Sequence, residues 1–144
     1  MIRRKGGNVP KADSSQKALE QENRSMRSAL VEIAAENWRF ENALEKALTG
    51  MDVMEAERFG RQYSYFASRV ARAMSLAGLS CLDLRGQIYD VGMAVQGMNL
   101  EEFDEDETLV ISRMVEPVIL WNGSVIREGM VTLEKAIPTS EAEE

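Results

Sequence analysis

Six of the seven residues from Glu101 to Glu107 are acids, the densest group of potential metal ligands or proton carriers in the chain. A calcium loop needs donors at alternate positions, a glycine at the sixth and a glutamate at the twelfth, a pattern this run does not follow. A carboxylate pair such as Asp104 and Asp106 could work as acid and base only if something held its geometry. The run therefore reads as a solvated acidic loop, and no metal site or cofactor is expected. The chain has no histidine, which removes Ser-His-Asp and Cys-His nucleophiles and every imidazole-dependent zinc site. Its one cysteine, Cys81, can form neither an internal disulfide nor a thiolate cluster. An enzyme is accordingly the least expected class.

The 144 residues are 44% hydrophobic and 28% charged, with a formal charge of -7. That is the size of one folding unit with an appendage. Affinity for nucleic acid rests mostly on Lys and Arg neutralising phosphates, so the acidic balance argues for a protein or small-molecule partner and against nucleic acid. A basic start, Met1 to Lys5, runs into Gly6-Gly7-Asn8 where a secretory signal would carry about 7 to 15 apolar residues. No window approaches the roughly 20 apolar residues of a membrane span. The expected location is the cytoplasm, with no membrane partner.

Between Asp13 and Gly50 lies the clearest pattern. Leu19, Met26, Ile33, Phe40 and Ala47 recur every seventh residue, with Asn23, Leu30, Asn37 and Leu44 at the positions four further on. These are the a and d positions of a coiled coil, and a lone helix cannot bury such a stripe. The seam asparagines Asn23 and Asn37 destabilise unless they face each other, which points to a parallel homodimer. An antiparallel hairpin with the chain's own second helix would bury the stripe as well. Asp13 with Gln16 is the expected cap of this helix and Gly50 its stop. The second helix should start at Asp52, with Glu55 as capping partner, and end at Gly78. Phe59, Tyr63, Phe66, Val70, Ala73 and Ala77 make its apolar face, and Arg58, Arg61, Arg69 and Arg72 lie mostly off it.

The C-terminal third reads as strands. Leu109–Ile111 and Val118–Trp121 are β-prone, and Asn122-Gly123 is a strong two-residue hairpin signal before Ser124–Arg127. Gly129 permits a bend into Met130–Leu133, a strand able to cross to another sheet edge. Trp121 is either a cap on the β core or an interface anchor, and the high average burial of large aromatics favours the core. The expected fold is α+β: a tail over 1–12, a helical dimerisation region over 13–80 forming a dimeric coiled coil or four-helix bundle, a small all-β domain over 86–137, and an acidic tail over 138–144.

The run from Asn122 to Ala136, Asn-Gly-Ser-Val-Ile-Arg-Glu-Gly-Met-Val-Thr-Leu-Glu-Lys-Ala, resembles the closing hairpin and last strand of GrpE, the nucleotide exchange factor of DnaK-type chaperones. Tyr89-Asp90 with Ala94-Val95 is similar to the family's entry into its β domain, and Glu36-Asn37-Trp38-Arg39 to its Asn-x-Arg stretch. Val91-Gly92-Met93-Ala94 stands where the family usually shows His-Glu-Ala, and Ser124 where a basic residue often follows the hairpin glycine. The resemblance implies a homodimeric co-chaperone of protein folding and stress response, without enzymatic activity, that binds the ADP form of a DnaK-type ATPase. It implies Arg113, Met114, Glu116, Asn122, Ser124 and Arg127 as the contact surface, with Arg39 reaching in from the helix. The alternative is a coiled-coil adaptor that keeps a GrpE-like β module and binds another protein without exchange.

Overall fold

The structure, a computed structural model, describes residues 8–137, and side chains over 13–137. The chain divides into two units between Ile33 and Ala34. In the first, the described residues form the N-terminal part of α1, the helix Asn8–Thr49. The helix starts five residues before the expected cap. Pro10 is tolerated there because first-turn amides have no intrahelical acceptor, and Asp13 pairs instead with Lys17 at 3.8 Å. The rest of the expected N-terminal tail, residues 1–7, and the expected tail over 138–144 lie outside the described residues.

The second unit contains the end of α1, a second helix and all the strands. Where α1 stops, Gly50 and Met51 donate to the carbonyls of Ala47 and Leu48. α2 (Val53–Leu76) starts after Asp52, which has cap geometry, yet its side chain makes no capping bond and the expected box with Glu55 does not form. The helix ends as expected at a left-handed Gly78, with φ of 80°. Gly78 runs directly into β1 (Leu79–Leu82). The helical region therefore ends before residue 80, and the β region begins ahead of the expected 86.

Among the described residues, six strands form two three-stranded sheets. β1 joins β4 (Val118–Trp121) and β5 (Ser124–Arg127), while β2 (Val95–Gly97) and β3 (Leu109–Glu116) flank β6 (Gly129–Lys135). The β4–β5 turn holds Asn122 at φ 49° and Gly123 at φ 84°, the two positive angles a type I′ hairpin requires. The last strand crosses to the other sheet, as expected, but lies at its centre between β2 and β3 and not at an edge. Gly129 makes this crossing possible, because a Cβ there would stand 2.9 Å from the Glu116 carbonyl and 3.0 Å from the end of Met114. The buried cluster Leu84, Val95, Leu109, Ile111, Met114, Val118, Val131 and Leu133 joins the strands, and Trp38 of α1 packs onto it.

The acidic run divides between a short 3-10 turn, Leu100–Glu102, and an exposed loop. Glu107 is half-buried and pairs with Lys135 at 3.3 Å. Among the described residues no group of three or more His, Cys, Asp or Glu side chains is arranged to hold a metal. None of the described helices is long and apolar enough to cross a membrane.

Candidate partner-binding site

Met114 corrects one expectation. It lies in the core with 1% of its surface exposed, its sulfur accepting the amide of Leu84 at 3.0 Å, so it is no part of a contact surface. The cause is a bulge in β3. Leu109 and Ile111 face inward, and strict alternation would send Arg113 in and Met114 out. The register shift between Ile111 and Arg113 reverses that parity ahead of Met114, and a second bulge follows between Met114 and Glu116. Arg113 is consequently exposed and Met114 buried.

The second bulge also sets Glu116 at the strand's end, half-buried, where it meets two arginines. Arg39 of α1 donates to one carboxylate oxygen of Glu116, and Arg127 of β5 approaches the other at 3.7 Å. Arg39 also pairs with Glu36 on its own helix. Three residues expected separately at the contact surface thus form one ion network that ties α1, β3 and β5 together. Exposed pairs of this kind contribute only about 0–1 kcal/mol each, so their consequence is to orient the two guanidinium groups. The helix side of this arrangement is set by Trp38 and Asn42, whose Nε1 and Nδ2 both donate to the Met114 carbonyl at 3.1 Å.

The hairpin tip is held from the other side. The amide of Asn122 donates to the Gly78 carbonyl at 2.8 Å, and Trp121 Nε1 to the Ala77 carbonyl at 3.2 Å. Trp121 is half-buried against the end of α2 and does not belong to the central cluster, a correction to its expected place in the core. Its indole N–H satisfies one carbonyl that the helix end leaves over. Asn122 and Ser124 are exposed at the turn. The arrangement is a solvent-facing hairpin, bonded to the end of α2, with Ser124 beside its turn, Arg127 at its base and Arg39 nearby.

No family model matches the chain. Comparisons with curated proteins and with solved structures likewise give no match.

Of the coiled-coil positions, Leu19, Met26, Ile33 and Phe40 are more than half exposed in the single chain. Leu30, Asn37 and Leu44 are half-buried, Asn23 is exposed, and Asn37 donates to Glu41 within its own helix at 3.0 Å. Next to Asn37 a cavity of about 280 Å³ is lined by Trp38, Glu41, Met74, Leu79 and Cys81, among others. Burial, with Glu41 nearby, pushes the Cys81 thiol up and leaves little reactive thiolate.

Tyr63, on α2, is also affected. Burial first, then the charge of Glu41, a hydrogen bond to it and the charge of Glu45 hold the Tyr63 phenol well above its usual range. The folded state therefore keeps this proton where the unfolded chain, titrating near about pH 10, releases it. The stabilisation is complete below that pH and fades as pH rises toward the folded value. Melting temperature should thus fall as pH is raised beyond about 10, and Tyr63→Phe should flatten that fall and remove one late-titrating phenol from the phenolate absorbance. An alkaline limb identical in the variant would show that another group drives it.

Proposed function

We propose that the protein is a GrpE-like nucleotide exchange factor, a co-chaperone that binds the ATPase domain of a DnaK-type chaperone in its ADP form and promotes ADP release. One observation carries the reading: the run from Asn122 to Ala136, whose residue order resembles the family's ending, is built as an anchored hairpin and crossing strand with Arg127, Arg39 and Glu116 gathered at its base. The succession of a long helix, a shorter helix and a terminal β region supports it as well. So does the apolar stripe of Leu19, Met26, Ile33 and Phe40, a face that a homodimer would bury.

The mechanism is differential binding. An exchange factor that prefers the open nucleotide cleft shifts the ATPase population toward that state, and ADP leaves. Linkage makes the effect reciprocal, so nucleotide weakens the hold of the exchange factor by the same factor. The contact surface consists of Arg127, Ser124, Asn122 and Arg113, with Arg39 joining from the helix and Glu116 keeping both neighbouring arginines in place.

The test is the release rate of fluorescent ADP from the DnaK-type ATPase of the same organism. The protein should accelerate release saturably, and Arg127→Ala should reduce the effect about tenfold or more at equal concentration, the size expected for an arginine at the centre of an interface. No acceleration by a protein whose dimeric mass has been verified would sink the exchange reading and leave the adaptor.

A further inference from the structure

The 25 residues from Arg58 to Leu82 contain four arginines and no acid, in a chain that carries 24 acids. All four arginines, Arg58, Arg61, Arg69 and Arg72, lie on α2 and are exposed. At about 100° per residue, these four and Tyr65 fall within an arc of about 80° and extend about 21 Å along the helix. The half-buried residues of α2, among them Tyr63, Ala67, Val70 and Met74, lie on the opposite side. The stripe therefore faces solvent directly away from the packed face, and Phe59 and Phe66 lie outside its arc. Among the described residues no carboxylate forms an ion pair with any of the four. Arg69 instead stacks on Tyr65, 5.4 Å from the ring centre, and donates to its hydroxyl at 2.6 Å.

We propose that this face of α2 docks a carboxylate-rich segment, about 20 Å long, of a protein partner. The proposal is independent of the exchange reading, since the stripe shares no residue with the hairpin surface. Charge complementarity carries it: four unpaired positive groups in a row, all of the type whose planar fork takes a carboxylate through two hydrogen bonds, on a protein of opposite overall charge. The stripe is short and bounded by Glu55 and Glu57 at its N-terminal end. A net charge of -7 opposes a long polyphosphate, and one face of Tyr65, the aromatic ring within the stripe, is covered by Arg69, which disfavours base stacking. A short acidic polypeptide suits a row of this length.

The experiment measures fluorescence anisotropy of a labelled helical peptide with four glutamates on one face, titrated with the full-length protein, beside a labelled oligodeoxythymidine. Arg61→Glu with Arg72→Glu reverses two of the four charges of the stripe, and Lys17→Glu with Arg24→Glu changes the net charge equally on α1. The peptide should bind, more weakly as salt rises, and the α2 pair should reduce affinity more than tenfold while the α1 pair changes it less than twofold. Arg61→Gln with Arg72→Gln should give a smaller loss in the same direction, which separates lost attraction from added repulsion. Absence of peptide binding at low salt, or equal losses in the two charge-reversed proteins, overturns the proposal. Tighter binding of the oligonucleotide with the same dependence on Arg61 and Arg72 overturns it in favour of a nucleic-acid site.

Discussion

Met114→Ala should lower the unfolding free energy by about 2–5 kcal/mol, the range for removing a long apolar side chain from a packed core. The residue is 1% exposed and packs where both sheets meet. Its loss leaves a void beside Val118 and Gly129, and it also removes the sulfur that accepts the Leu84 amide. Met114→Leu keeps most of the volume and should cost under about 1.5 kcal/mol. Urea denaturation followed by tryptophan fluorescence measures both, since Trp38 bonds to the Met114 carbonyl and reports on its surroundings. The comparison decides between two assignments for this position. A side chain on the contact surface would leave stability within about 0.5 kcal/mol and impair partner binding instead. A loss below about 1 kcal/mol in Met114→Ala, half the lower end of the core expectation, would return Met114 to the surface.

Leu30→Lys combined with Ile33→Lys should convert a dimer into single chains at micromolar concentration, with the helix content of each chain reduced. Fully burying a Leu, Ile, Phe or Met side chain contributes about 1.5–3 kcal/mol, and Leu19, Met26, Ile33 and Phe40 all stand more than half exposed before any pairing. Two lysines per chain inside such a seam would replace apolar burial with unpaired charge, a change of several kcal/mol and hence about 100-fold or more in dissociation constant. Light scattering reads the mass directly. Wild-type protein at the mass of one chain would remove the parallel dimer from the proposed function, and a dimer untouched by the substitutions would move the interface to other residues. Exchange activity measured on the split protein then tests whether a single hairpin surface suffices to open the partner's cleft.

The residues gathered at Glu116 join these predictions to the proposed function. Arg39 and Glu116 are 77 positions apart, and of the two bulges in β3 the first buries Met114 while the second sets Glu116. A substitution that disturbs β3 should therefore disturb the contact surface, so binding defects in Met114 variants are to be judged against their stability loss.

Much of this was written in local pattern. The period of 3.6 residues marks both helices, Gly78 ends the second, and Asn122-Gly123 makes the β4–β5 hairpin. These are decided by neighbours a few residues apart: a side chain's spacing on one face, or a backbone angle that only certain residues adopt without strain. The missing histidine and the lone cysteine limited the chemistry for an equally simple reason, the absence of the groups that perform it. The start of α1 was harder to read because Asp13 looks like a cap while nothing before it prevents helix. β1 was missed because four residues are too few for a period, and its strand identity comes from pairing with β4, nearly forty residues later. The side of β3 that Met114 takes depends on bulges, which one strand acquires only against its partner, and the gathering of Arg39, Glu116 and Arg127 depends on packing α1 against the strands. Local pattern thus marks both helices, the end of the second, the hairpin and the classes of chemistry available. Tertiary structure alone decided which faces are buried and which distant charges meet, because register and long-range pairing are energies of the whole assembly of strands and helices and have no local signature.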